Sequence, residues 1–104
     1  MASQSAYCSV MEQVLTVTQE MLRNAEQDVW DRVAELEAER VALLQDHGSL
    51  PSVEAEIARA ANLVQQIQAL NAQLLELGKQ QIKSISGERQ HIDRGRQAVA
   101  AYGR

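Results

Sequence analysis

The chain has 104 residues, which suffices for one small domain with a modest core but not for a deep cavity. It contains only 5 Gly, 1 Pro and no Phe, and good helix formers dominate the remaining positions. The net charge of −4 argues against nucleic-acid binding. We therefore predict an all-α protein, a small antiparallel helical bundle of three to four helices with a long third helix, which forms a single domain over residues 1–104.

The cysteine content and the apolar runs bear on location. The single cysteine, Cys8, excludes an internal disulfide and fits a reducing compartment. The N-terminus shows no secretory signal pattern, and no run of about 18 apolar residues occurs. These features predict a cytoplasmic protein without membrane insertion.

The first two predicted helices cover residues 4–23 and 28–46. Apolar residues recur at helical spacing in the first one, which makes it amphipathic. Asp28 is a good N-cap for the second, and Asp31 places negative charge in its first turn, where the helix dipole favours it. His47 and Gly48 should end this helix, because Gly is the usual residue just past a C-terminus. On its outer side we expect acidic residues and Arg40 to face water.

The third predicted helix covers residues 52–86 and is the one around which we expect the others to pack. On a wheel of about 100° per residue its apolar positions cover about half of the circumference, more than the face of roughly 100° that a surface helix needs. This helix should therefore contact more than one partner element. Gly87 either ends this helix or lies within a helix that runs on to Ile92, and a short fourth helix is predicted over about 88–102.

No catalytic, cofactor or metal site is indicated. Cys8, His47 and His91 lie on three different predicted elements without ligand-type spacing, so a buried thiol and two surface imidazoles are favoured. Glycine-rich phosphate loops are absent as well. Two interpretations stay open elsewhere. Trp30 is either a core residue or an interface anchor, and the stripe of Leu63, Leu70 and Leu77 is either internal core or part of a binding groove.

Three short motifs resemble the FliT family of flagellar export chaperones. Trp30-Asp31 opens the second helix after a polar turn. The segment Asn71-Ala72-Gln73-Leu74-Leu75 lies midway along the third helix, like the Asn-x-Gln-Leu-Leu segment of the family. The C-terminal Ala101-Tyr102-Gly103-Arg104 is similar to the family's Ala-Tyr-Gly-Arg segment and is the most specific of the three.

The resemblance implies a cytosolic, non-enzymatic chaperone that binds the C-terminal region of the filament-cap protein FliD. Such a chaperone prevents premature assembly of the cap subunit and delivers it to the type III export gate. The family's Ala-Tyr-Gly-Arg tyrosine is implicated in docking on the gate protein FlhA, which assigns that role to Tyr102, and the family also contacts the export ATPase complex. The chain departs from the family at residue 76, a Glu where a basic residue is associated with the export machinery.

We assign the cargo groove to the second and third helices, because the third helix has an excess of apolar surface and an amphipathic helix binds in such a groove. The predicted lining is Val64, Ile67, Leu70, Leu74 and Leu77. Two rival functions remain. One is a chaperone for the hook–filament junction proteins, and the other is a structural adaptor whose long helix forms a coiled-coil homodimer. A homodimer alone does not exclude the chaperone, since an exposed groove allows self-association.

Overall fold

The computed structural model describes residues 5–92, and these form three helices. They are α1 (Ala6–Glu26), α2 (Trp30–Gln45) and α3 (Glu54–Ile92). The prediction of an all-α fold with a long third helix is confirmed. Contacts within the chain divide it into two compact units, Met1–Leu74 and Leu75–Arg104. The first unit therefore contains α1, α2 and the first half of α3, and the second contains the remainder of α3.

Helix α1 supplies most of the buried surface. Ser5 is its N-cap, and the Ser5 hydroxyl accepts a hydrogen bond of 3.1 Å from the Cys8 amide. The buried residues of α1 follow the three- and four-residue spacing of one helical face. They are Cys8, Met11, Val14, Thr18, Met21, Leu22 and Ala25. This face is continuous from the first turn to the last, so α1 is packed along its whole length.

Contacts between helices give their directions within the first unit. Thr18 of α1 contacts Arg40 of α2, and Ala6 at the start of α1 lies against Gly48 just beyond the end of α2. These pairs run in opposite senses along the chain, so α1 and α2 are antiparallel. Cys8 donates a hydrogen bond of 3.4 Å to the Glu56 carbonyl of α3, and Arg40 contacts Asn71 further along that helix. Helix α3 is therefore parallel to α1 and antiparallel to α2.

The core shows that α1, rather than α3, is the central helix of the first unit. One cluster of buried residues joins Cys8, Met11 and Val14 of α1 to Ala60 and Leu63 of α3. The other face of the α1 stripe meets α2, where Val33 and Leu36 are buried. Helix α3 contacts both α1 and α2, as expected, but α1 and not α3 carries most of the buried residues of the first unit.

The connection between α1 and α2 differs from the prediction. Asp28 is not the N-cap of α2. It adopts the left-handed backbone conformation (φ 62°), and Val29 occupies the cap position without a side-chain hydrogen bond. Helix α1 continues to Glu26 because the Asn24 carbonyl accepts hydrogen bonds from the Gln27 and Val29 amides. Asp can adopt the left-handed conformation at low cost, and here it makes the tight turn.

The connection between α2 and α3 depends on Gly48. This residue has φ +77°, and a Cβ built on it would lie 2.6 Å from the Ala6 Cβ. Helix α2 has already ended at Gln45, with Asp46 as its C-cap. Gly48 is therefore required by both its backbone conformation and its close approach to the start of α1.

Helix α3 does not stop where the sequence suggested. It begins at Glu54, where the Val53 carbonyl accepts hydrogen bonds from the Glu56 and Ile57 amides. It then continues through Gly78 and Gly87 to Ile92, so residues 88–92 of the predicted fourth helix belong to α3. The rest of that predicted helix lies outside the described residues. Within residues 5–92, no helix is both long enough and apolar enough to cross a membrane.

We expect Gly48→Ala to lower the free energy of unfolding by about 1–3 kcal/mol, because alanine at positive φ is strained and its Cβ would collide with Ala6. The matched control is Gly78→Ala, since nothing lies within 4 Å of a Cβ at that helical glycine. The control should be neutral or more stable by up to about 1 kcal/mol. Urea unfolding followed by circular dichroism measures both, and an unchanged midpoint for Gly48→Ala would contradict the account.

Candidate functional site

Arg40 connects the three helices of the first unit. Its Nη1 donates hydrogen bonds to Thr18 Oγ1 on α1 (3.2 Å) and to Asn71 Oδ1 on α3 (3.1 Å). Its Nη2 lies 2.6 Å from Glu37 Oε1, one turn earlier on α2. Only 14% of the Arg40 side chain is exposed. The expectation that Arg40 faces water is therefore wrong.

Thr18 is the buried member of the polar cluster formed by Thr18, Glu37, Arg40 and Asn71. Its side chain is fully buried, and its hydroxyl donates a 2.7 Å hydrogen bond to the Val14 carbonyl while it accepts one from Arg40. The Thr18 hydroxyl therefore has a partner both as a hydrogen-bond donor and as an acceptor. A buried polar group that is fully hydrogen-bonded avoids the penalty of desolvation, so the cluster can fix the spacing of the helices.

An elongated cavity of about 500 Å³ opens beside this cluster, and we call it the three-helix groove. All three helices of the first unit and the loop after α2 contribute to it. Its lining comprises Tyr7, Met11, Val14, Glu37, Arg40, Leu44, His47, Leu50, Val64, Ile67, Gln68 and Asn71. A volume between 300 and 1,000 Å³ is usual for a ligand pocket, and it accommodates several side chains of a peptide.

The three-helix groove has an apolar interior and polar edges. Two of its leucine side chains are largely exposed to solvent, Leu44 at 43% and Leu50 at 68%. Large apolar side chains that surround a concavity at such exposure are typical of a protein-binding surface. The polar edge next to Arg40 carries Glu37, and the two charges balance each other there. The groove is therefore close to neutral and suits an apolar ligand surface.

The end of the groove near the loop is formed by two rings. Tyr7 and His47 make an edge-to-face contact with ring centroids 5.3 Å apart and an interplanar angle of 81°. His47 Nδ1 is 2.8 Å from the Gly48 carbonyl oxygen, which accepts the hydrogen bond. The same glycine that allows the close approach to α1 thus also orients the imidazole. His47 is half-buried in this arrangement rather than a free surface imidazole.

The structure places the five predicted lining residues in different surroundings. Val64 and Ile67 line the three-helix groove, together with side chains of α1 that the sequence did not suggest. Leu70 is half-buried and lies outside that lining, and Leu74 is only 7% exposed. Leu77 is half-buried and belongs to the second unit. Tyr102, the predicted docking residue, lies outside the described residues.

The structure also shows where the other residues singled out in the sequence lie. Cys8 is fully buried, as expected, and Leu63 belongs to the core cluster. Trp30 is half-buried at the start of α2, and its indole N–H donates a 3.2 Å hydrogen bond to Asp28 Oδ1 across the turn. Among the described residues, no three His, Cys, Asp or Glu side chains are grouped as a metal site would require.

A short all-α bundle with a neutral, apolar groove open to solvent defines a class of small helical protein that can receive a segment of another protein. A family model described as FliT: Flagellar protein FliT matches residues 8–104. The chain therefore belongs to the FliT family, a family of flagellar export chaperones. Comparison with curated proteins and with solved structures found no match.

The structure shows what Asn71, the first residue of the family-like segment Asn71-Ala72-Gln73-Leu74-Leu75, does in this protein. In the sequence Asn71 stands out only as part of the family-like segment, whereas in the structure its side-chain oxygen accepts a hydrogen bond from Arg40. The hydrogen bond holds the middle of α3 against α2 and closes one side of the three-helix groove. Leu74, three residues later in the same segment, is buried.

We expect Arg40→Ala to lower the free energy of unfolding by about 2–4 kcal/mol, because charged hydrogen bonds are lost and partly buried partners are left without a donor. Arg32→Ala is the matched control on the same helix. Arg32 pairs only with Glu35 and Glu39 at the surface, and such pairs contribute about 0–1 kcal/mol.

A double-mutant cycle with Asn71→Ala isolates the interhelical part of this effect. The coupling free energy between Arg40 and Asn71 should exceed that between Arg32 and Glu35 by at least about 0.5 kcal/mol. Chemical denaturation of the wild type and of six variants, two single and one double for each pair, gives both values. Equal coupling in the two pairs would show that Arg40 does not hold the helices together.

Proposed function

We propose that this protein is a cytosolic type III export chaperone that binds the C-terminal region of the filament-cap protein FliD in the three-helix groove. It keeps the cap subunit from assembling early and delivers it to the export gate. The observation that carries the proposal is the convergence of Val64 and Ile67 with the exposed Leu44 and Leu50 in one groove of a FliT-family protein.

The shape and chemistry of the groove suit an amphipathic helix. A helical segment presents an apolar stripe of side chains at positions i, i+3, i+4 and i+7, and such a stripe fits a groove between helices. The interior made by Met11, Val14 and Ile67 would receive that stripe. Gln68 and Glu37 at the edge would stay in contact with water or with polar groups of the cargo.

Substitution within the groove tests this proposal. Leu44 and Val41 are both 43% exposed and both lie on α2, but only Leu44 lines the groove. Leu44→Glu should weaken binding of the FliD C-terminal segment at least tenfold, because it places a charge where the apolar stripe must pack. Val41→Glu should change the affinity less than twofold, and calorimetry on the purified proteins measures both.

The same binding measurements distinguish FliD from the rival cargo, the hook–filament junction proteins. If the wild type is folded and does not bind the FliD segment, calorimetry with the hook–filament junction proteins follows, and binding there would assign the groove to that cargo. If Leu44→Glu and Val41→Glu weaken binding equally, the groove is not the cargo site. Leu74→Asp is unsuitable for this test, because a charge at a position that is 7% exposed would disturb the core.

Docking on the export gate is the second part of the proposal. We assign Tyr102 to contact with FlhA, and support comes from the family match, which extends to residue 104. Tyr102→Ala should reduce FliD export in cells while calorimetry shows unchanged FliD binding. The export ATPase complex is a further expected contact. Unchanged export by Tyr102→Ala would remove the docking assignment and leave the cargo proposal intact.

One observation favours a second candidate, the coiled-coil adaptor. In the second unit Leu75 is 61% exposed and Ile82 is 65% exposed, and seven residues separate them. That is the heptad spacing of a coiled-coil seam. A dimer that resists dilution in analytical ultracentrifugation and dissociates in the variant Leu75→Ser/Ile82→Ser would support the adaptor. A monomer at micromolar concentration would exclude it.

A further inference from the structure

A second groove lies between α1 and α2 and shares no lining residue with the first. It has a volume of about 660 Å³, and we call it the two-helix groove. Val17, Ala42 and Leu43 form its apolar interior. Along α2 and just after its end, each of Glu39, Leu43 and Asp46 in this groove is followed by a residue of the three-helix groove, namely Arg40, Leu44 and His47. Adjacent residues of a helix are about 100° apart on a helical wheel, so Glu39 and Leu43 face a different direction from Arg40 and Leu44.

The charge of the two-helix groove differs from that of the first. Its only charged lining residues are Glu39 and Asp46, and both are acidic. The remaining polar positions, Gln13 and Thr16, are neutral. Arg32 lies 3.9 Å from Glu39 but pairs more closely with Glu35, at 3.0 Å. An apolar groove with an acidic border attracts a ligand that carries positive charge beside its apolar side chains.

The position of Asp46 adds a second reason for negative potential here. Asp46 is the C-cap of α2, and no basic residue lies in the last turn of that helix. The C-terminus of a helix carries a partial negative charge, which a carboxylate at that end reinforces. Such an arrangement opposes folding stability. Local conflicts of this kind are expected at functional sites.

We propose that the two-helix groove is a second protein-binding surface, and that its partner is a cationic amphipathic helix. The apolar stripe of that helix packs on Val17, Ala42 and Leu43. Its flanking lysines or arginines approach Glu39 and the C-terminal end of α2 at Asp46. Because this surface is separate from the three-helix groove, the protein can hold a neutral apolar segment and a basic segment at the same time.

The experiment uses the full chain and two designed helical peptides of 18 residues. Both have leucines along one face, and lysines flank the leucines in one peptide while glutamates flank them in the other. Fluorescence anisotropy should show that the lysine peptide binds at least tenfold more tightly. Its affinity should also fall several-fold when the salt concentration rises from 0.05 to 0.5 M, because salt screens the attraction. Equal affinity for the two peptides would overturn the proposal.

Three variants, one of them a charge-matched control, test whether the lysine peptide binds in the two-helix groove. Glu39→Gln/Asp46→Asn should weaken the lysine peptide about three- to tenfold, whereas the control Glu26→Gln/Glu76→Gln removes the same charge from two other exposed positions and should have less effect. Equal weakening by both would mean that net charge alone attracts the peptide. Leu44→Gln in the three-helix groove should leave the affinity within twofold, and a loss as large as that of the first variant would also refute the assignment.

The single variant Asp46→Asn separates binding from folding. It should raise the melting temperature slightly, because it removes a carboxylate from the negative end of α2, and it should nevertheless weaken the lysine peptide. A purely structural role for Asp46 predicts the opposite change in melting temperature. A lower melting temperature together with unchanged peptide affinity would therefore remove Asp46 from the proposed surface.

Discussion

The Arg40 guanidinium reaches a hydroxyl on α1 and an amide oxygen on α3 from its position on α2. Apolar packing is tolerant of small shifts between helices, since many arrangements bury similar areas. Hydrogen bonds from one planar group to fixed acceptors are not tolerant, because their energy falls steeply with distance and angle. Arg40 therefore sets the separation of the three helices, and the width of the three-helix groove follows from it.

Much of the fold could be predicted from the sequence because helical periodicity is a local property. The spacing of apolar residues located all three helices, and the absence of a convincing run of strand alternation argued against a sheet. The predictions that were wrong concern positions at which one residue type favours two different backbone conformations. Asp28 is suited both to an N-cap and to the left-handed conformation, and only the packing of α1 against α2 selects the second. Gly87 weakens a helix but does not end it when its neighbours continue the helical pattern.

The site was only partly predictable for a related reason. Val64 and Ile67 were found because they lie on the apolar stripe of one helix. The residues that complete the groove come from α1, α2 and the loop, and no periodicity within α3 indicates which of them face it. Thr18 was missed because a hydroxyl is counted as polar, although its position seven residues from both Met11 and Ala25 places it on the buried face. That spacing is the signal that could have identified it.

The groove geometry also bears on how a chaperone can release its cargo. Arg40 is already engaged by the Glu37 carboxylate and by the Asn71 side-chain oxygen, so in the proposed complex a bound helix gains little from Arg40. Affinity must then come from burial of a few apolar side chains, each worth about 1.5–3 kcal/mol. Association itself costs about 4–15 kcal/mol in lost freedom of motion. Four or five such side chains leave a modest net affinity, which suits a cargo that has to be handed on.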